Sequence, residues 1–353
     1  MNYLIRVCML LLWAIPSYAQ YVTVSTSATL REEPSSQSTI LLHLNKGQNL
    51  TLLDDGKQTN GYYKVLTPLG QDEGFIYRTL VRRFEGTIPA SPVSNSTRAI
   101  VSKELNWAPQ VPVHYYDGTS NLSGQSLKDK LHALIDGHKE YAYSSDTTDV
   151  YDILKVTDQD PGNPDNVILI YSGFSVNAAQ EYNDGKGWER EHVWSQSHGQ
   201  FGRLKGPGSD VHHLRPILRQ FNGSAGKSNK DFDTVGSRFL FEGAITDCLV
   251  SDSTWAPIPQ VRGDVARMMF YMAVRYEGDD GYPDLELVNC SNTEKLYKDK
   301  PVYGNLSTLL QWHQQDPVDN WERRRNDIIF KKYQKNRNPF IDHPEFAERI
   351  WGN

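Results

Sequence analysis

Apolar and polar positions alternate with two rhythms along this chain. Between residues 20 and 84 the rhythm is short. "YVTVSTSATLR", "NLTLLDDG", "YYKVLTP" and "GFIYRTLV" place apolar residues at alternate positions, and turn-forming clusters separate them (Glu33-Pro34-Ser35-Ser36, Lys46-Gly47, Asp55-Gly56, Asn60-Gly61). Successive strand side chains point to opposite faces, so period-two runs broken by close turns predict a small β-barrel. Residues 85–100 are rich in Ser, Pro and Thr and read as a linker.

From residue 101 to 353 the rhythm is mixed, which predicts an α+β unit. Leu127, Leu131, Leu134 and Ile135 follow helical spacing. Asn166–Phe174 ("NVILIYSGF") is a continuous apolar run after a Pro/Gly/Asn/Asp cluster and predicts a buried strand. Val265, Met268, Met269, Met272 and Tyr276 form a helical stripe. Val318, Trp321, Ile328 and Ile329 form another, with Asp316-Pro317 expected as its N-cap and first-turn proline. Arg325 falls on that stripe. A lone buried charge is costly, so an ion pair is expected for it rather than a phosphate contact. No internal repeat is present.

Length and charge refine this picture. A chain of 353 residues suggests about two domains, and 38% hydrophobic with 23% charged residues fits a globular protein. The net charge of −6 offers nucleic acid no general attraction, so any basic surface must be local. At the N-terminus, Arg6, the apolar run Val7–Ile15 and Ser17-Tyr18-Ala19 have the layout of a secretory signal peptide over residues 1–19. The run is well short of the ~20 residues a membrane span needs. Export is therefore expected. Cys8 would leave with the leader, and an oxidising compartment would favour a disulfide between Cys248 and Cys290.

The chemistry concentrates in two stretches. "GWEREHVWSQSHG" (Gly187–Gly199) sets Glu191 beside His192, and "SDVHHLRPILRQFNGSAGKSNKDF" (Ser209–Phe232) adds Asp210, His212, His213, Arg215, Asn222 and Asn229. Two site types compete. A zinc site would draw on histidine nitrogens, although there is no HExxH and the cysteines are too few. A magnesium or calcium site would use oxygens, such as the Glu191 carboxylate and Asn222 amide, and leave His192 free to move protons. An imidazole with a pKa of about 6.5 can take a proton from water. Neighbours on a strand face apart, so joint action by Glu191 and His192 calls for the strand to end or bulge at that pair.

These residues resemble the endonuclease I family, secreted and periplasmic nonspecific nucleases with a ββα-metal (His-Me finger) core. The likeness begins at "VYDILKVTDQDPGNPDNVILIYSG" (Val150–Gly173) and passes through both stretches above. It continues in "RGDVARMMFYMAVRY" (Arg262–Tyr276) and in Trp312–Phe346, which ends with "NRNPFIDHPEF". It implies His192 as general base and Glu191 and Asn222 as ligands of Mg2+, with Ca2+ or Mn2+ as substitutes. It also implies a nucleic acid substrate, DNA or RNA. Arg203, Arg215, Lys227 and Asn229 are candidates to hold phosphate. Two departures stand out. "NGSAGKSN" carries a two-residue insertion and has Lys227 where the family has Arg, and Ser195 replaces Pro, a change expected to have no chemical consequence. Residues 20–84, through "LREEPSSQSTILLHLNKGQNL" and "GYYKVLTPLGQDEGFIYRTLV", resemble a bacterial SH3-like domain, which implies a cell-wall or peptide ligand.

Structural roles are expected for several other residues. His198 reads as an ordinary surface or packing residue, His212 and His213 as hydrogen-bonded structural residues, Trp188 and Trp194 as core or site walls, and "NRNPFIDHPEF" as a clasp. Arg323–Arg325, Lys331, Lys332, Lys335 and Arg337 are the best basic patch for backbone contacts to nucleic acid. A monomer is expected. The competing readings are an adhesion or binding protein with a weak nuclease domain, and a zinc hydrolase using His192, His212 and His213.

Overall fold

The period-two alternation of the N-terminal stretch builds an antiparallel sheet in the computed structural model, which describes residues 20–44, 49–66, 73–86, 105–182, 187–241, 244–298 and 300–352. The expected leader lies outside these residues, as does most of the expected linker. The chain divides into two units, residues 1–89 with 242–245 and residues 90–241 with 246–353.

The first unit contains β1 (Gln20–Val24), β2 (Ala28–Arg31), β3 (Ile40–Leu44), β4 (Asn49–Leu52), β5 (Gln58–Thr59), β6 (Tyr62–Leu66), β7 (Glu73–Tyr77) and β8 (Val81–Glu85). Their order is β3-β2-β7-β6-β4-β1-β8, with β5 beside β6. Val22, Leu30, Leu50, Val65 and Ile76 fill its core. Asn60 and Gly61 join β5 to β6 with φ of 51° and 79°, the two positive values a tight hairpin turn demands. Among the described residues no pairing joins β3 to β8, so the strand order stays open where a closed barrel was expected.

The second unit is mixed α and β. It opens with α1 (Gly124–Ile135) and α2 (Val150–Thr157), followed by β9 (Gln159–Asp160), β10 (Asn163–Ile168) and β11 (Ser175–Asn177) in one small sheet. β12 (Trp188–His192) then pairs with β13 (Leu214–Leu218) in a two-stranded antiparallel ribbon, and α3 (Arg219–Asn222) follows directly. Next come β14 (Asp231–Phe232), β15 (Ser237–Phe241), β16 (Ala244–Val250) and β17 (Thr254–Ala256), ordered β14-β17-β16-β15. The remainder is α4 (Arg262–Arg275), β18 (Glu286–Leu287), α5 (Thr293–Leu296), β19 (Val302–Tyr303), α6 (Leu306–Gln315), α7 (Asn320–Lys332), α8 (Pro339–Asp342) and α9 (Glu345–Trp351). α4 carries the predicted stripe and is buried on nearly every side, so it forms the spine of the core. Among the described residues no helix is long and apolar enough to cross a membrane.

Three local expectations change. The strand expected at 166–174 starts earlier, at Asn163, and stops at Ile168; Leu169, Ile170 and Tyr171 are buried in the turn beyond it. Asp316 caps the C-terminus of α6, and α7 is N-capped by Asp319, whose carboxylate accepts from the Glu322 amide. The Asp319/Glu322 capping box satisfies backbone donors from both sides, which Asp316-Pro317 cannot do for a helix starting at Asn320. Cys248 and Cys290 are not disulfide-bonded: Cys248 sits buried on β16 with its Sγ donating to the Tyr171 carbonyl at 3.1 Å.

Buried charges hold the ribbon in place. Asp158, just after α2, accepts from Arg215 of β13 at 2.5 Å and from Arg325 of α7 at 3.3 Å. Arg325 also donates to the carbonyls of Val211 and Leu214 at 2.6 and 2.8 Å, at the entry to β13. The ion pair expected for Arg325 is present, and it ties three elements together. Asp158→Ala would strand two buried guanidiniums. It is expected to cost about 3 to 5 kcal/mol in urea unfolding; a loss under about 1 kcal/mol would show that the clamp is not needed.

Candidate functional site

The β12–β13 ladder runs without a shift from Trp188↔Leu218 to His192↔Leu214. No bulge interrupts it, and His192 is the last residue of β12. Alternation is therefore intact. Arg190 and His192 turn towards Tyr143, while Glu191 turns to the other face, towards Tyr171 and Lys227. The expected strand end is found; the expected bulge is not.

On the first face the His192 ring is buried, with Tyr143 stacked on it at 5.4 Å and Phe201 and His213 beside it. Its Nε2 lies 2.9 Å from the Gly208 carbonyl oxygen. A carbonyl only accepts, so Nε2 carries the proton and Nδ1 carries the lone pair. The half-buried Gln196 amide approaches Nδ1 at 2.9 Å. Burial, helped by His213 and by Arg203 and Arg190, holds the His192 pKa well below the usual imidazole value, which favours this neutral form. The Gly208 carbonyl is set by a tight loop. A Cβ at residue 208 would lie 2.5 Å from the Leu204 carbonyl and 2.7 Å from that of Gly202, so only glycine fits.

On the second face Glu191 is 1% exposed. Tyr171 donates to its Oε1 at 2.9 Å, and Lys227 Nζ stands 3.8 Å from the same oxygen. Burial raises the Glu191 pKa to about 7, while Lys227 and Tyr171 pull against that rise. Lys227 is fully buried, and its Nζ donates to Ser195 Oγ at 2.6 Å and Tyr303 Oη at 2.7 Å. The two departures noted in the sequence are thus partners: the Ser195 hydroxyl accepts from Lys227, a contact proline could not make.

Asn222 ends α3, which packs against both strands of the ribbon. Its half-buried amide makes no hydrogen bond among the described residues. The Glu191 Oε2 is similarly without a protein partner. A carboxylate oxygen and an amide oxygen, both hard donors, suit a cation that keeps most of its own water. Two other groups of three acidic or histidine side chains occur among the described residues, His132/Asp136/Asp279 and Glu277/Asp284/Glu286. Each already meets a protein cation, Arg275 at 2.8 Å from Asp136 and Lys128 at 2.6 Å from Glu277 and Glu286.

The candidate phosphate holders separate. Arg203 is exposed, with its guanidinium 5.3 Å from the Tyr143 ring that stacks on His192. Arg215 is committed to Asp158, and Lys227 is interior. Asn229 lines a polar cavity of about 240 Å³ with Lys230, Asp252 and Glu294, apart from His192. The basic patch shrinks too, because Arg325 is buried on Asp158, and Arg337 on Asp327 and Asp342. Lys331, Lys332 and Lys335 remain exposed.

His212 and His213 are hydrogen-bonded, as expected, and His198 is a buried packing residue that is hydrogen-bonded too. His198 bridges the Val302 and Asn229 carbonyls at 2.9 and 2.8 Å. His212 faces Asn336 and the Tyr271 ring. His213 Nε2 meets the Pro207 carbonyl at 2.7 Å while its Nδ1 accepts from the Trp194 amide. Among the described residues, His192, His212 and His213 do not converge on one point as zinc ligands would.

Known proteins resolve the family. The model of the family Endonuclease I matches residues 123–345. The chain belongs to the endonuclease I family. It is 50% identical over 237 residues to an extracellular ribonuclease of Bacillus subtilis (strain 168), covering 67% of this chain and 78% of that protein. An extracellular ribonuclease of Bacillus amyloliquefaciens is 51% identical over the same length and coverage. Membership makes the chain a nuclease, with nucleic acid as its substrate class.

His213 allows a direct test of the buried, neutral imidazoles. Burial lowers its pKa to about 4, against about 6.5 when unfolded. Its contribution is complete above pH 6.5 and is lost as pH falls towards 4, because the unfolded chain binds the proton first. His213→Asn should therefore destabilise the protein at pH 7, with the gap to wild type closing by about 3 kcal/mol by pH 4. A gap independent of pH would contradict this.

Proposed function

We propose that the chain is an exported, nonspecific endonuclease that hydrolyses phosphodiester bonds of DNA or RNA with water activated by His192. The observation that carries this reading is the fixed imidazole. Its Nε2–H is spent on the Gly208 carbonyl, so Nδ1 is left as a base with a set direction. The extracellular ribonuclease names of the two relatives support export and an RNA substrate.

In this reading β12, β13 and α3 form the ββα-metal core. Glu191 and Asn222 hold a divalent cation, Mg2+ with Ca2+ or Mn2+ as substitutes, which neutralises charge on the reacting phosphate. Because Glu191 and His192 face apart, this reading requires the phosphate to straddle the end of β12. His192 Nδ1 takes a proton from the attacking water once Gln196 yields that position. Arg203, on the His192 side, is the favoured cation for the phosphate. Lys331, Lys332 and Lys335 could supply sequence-independent contacts to the backbone. The segment 101–353 is the nuclease domain, and 20–84 is an SH3-like module that recognises cell-wall or peptide material.

Plasmid DNA and RNA incubated with magnesium, with zinc and with chelator test the chemistry. Cleavage is expected with magnesium and abolished by chelator. His192→Ala should lower turnover about 10²- to 10⁴-fold while leaving the fold intact. Activity within a few-fold of wild type in that variant would remove His192 from the reaction, and zinc-only activity on another ester would favour a zinc hydrolase.

A further inference from the structure

Lys227 is a fully buried cation beside a proposed metal ligand, and its hydrogen bonds fix its charge state. Ser195 donates its own proton to the Ser228 carbonyl at 3.0 Å, and Tyr303 donates its proton to the Lys230 carbonyl at 2.7 Å. Both hydroxyls therefore face Lys227 as acceptors. The Ser228 carbonyl, 3.2 Å from Nζ, is a third. Three acceptors and no donor surround a nitrogen that has three protons only as an ammonium ion. Its Nζ does not donate to Glu191 but stands 3.8 Å from Oε1, anchored from the far side. Phe232 and Tyr303 add ring faces at 5.0 and 5.2 Å, which also favour a cation.

We infer that Lys227, held by Ser195 and Tyr303, is a built-in monocation that shares Glu191 with the divalent ion and thereby weakens divalent binding. The inference rests on the proposed metal role of Glu191. With no divalent ion present, the fixed ammonium compensates a carboxylate that burial would otherwise leave alone. When a divalent ion is bound, the same charge repels it through an interior that screens poorly. Lysine suits this task better than the arginine of the family pattern. Its charge is compact and its three donors are all consumed at the anchor, so it cannot swing onto the carboxylate or onto substrate. The Ser at 195 is what makes the anchor, since Pro has no hydroxyl to offer.

The test uses the metal-stripped full-length chain and follows its thermal midpoint against free Mn2+ and Mg2+, with no substrate present. Lys227→Met should lower the unfolding temperature in chelator, and should reach half of its metal-induced rise at a metal concentration about tenfold or more below wild type. Lys227→Arg, which keeps the charge, should titrate within about threefold of wild type. If Lys227→Met does not fold, Lys227→Gln retains hydrogen bonding to Ser195 and Tyr303 without the charge and should show the same leftward shift. Equal midpoints in the wild type and the neutral variant would overturn the inference while leaving the metal site intact. A wild type unmoved by either ion would instead overturn the metal role of Glu191, and the inference with it.

Discussion

The unbroken ladder between β12 and β13 is the constraint from which the rest of the site follows. It sends Glu191 and His192, neighbours in sequence, to opposite faces of a two-stranded ribbon. Each then needs its own buried surroundings. His192 finds a carbonyl and an aromatic wall, which keep it neutral and oriented. Glu191 finds a phenol and a fixed ammonium, which oppose the loss of its charge that burial favours. The two environments suit the two tasks proposed for them: a base needs a free lone pair, and a cation ligand needs negative charge.

The ribbon depends in turn on charges that never reach solvent. Two strands alone are marginal. Here Asp158 joins Arg215 in the ribbon to Arg325 in α7, and Arg325 reaches the backbone that leads into β13. Such pairs are weak sources of net stability, but breaking one is expensive. They therefore act as register pins. The buried cations at 215, 325 and 337 are paired in this way, so two members of the basic patch read from the sequence, Arg325 and Arg337, serve the interior.

What could be read in advance was whatever lay close together in the chain. The Glu191-His192 pair, the α4 stripe and the need of Arg325 for a partner all follow from local pattern and the cost of burying charge. Contacts made across long separations could not be read. Gly208 matters through its carbonyl, which carries no side-chain signal, and Tyr143 and Tyr171 reach the site from distant segments. Ser195 and Lys227 were each visible as departures from family pattern, but that one answers the other needed their 2.6 Å contact. The start of α7 was missed by three residues because a Pro after an Asp is a weaker signal than the reciprocal box at Asp319 and Glu322.

The account turns on the tautomer of His192. Nitrogen-15 NMR of imidazole-labelled protein, assigned by comparison with His192→Gln, reads the protonation of each ring nitrogen directly. The geometry requires a neutral ring at pH 7, protonated at Nε2 and bare at Nδ1. A proton on Nδ1, or an imidazolium at that pH, would contradict it.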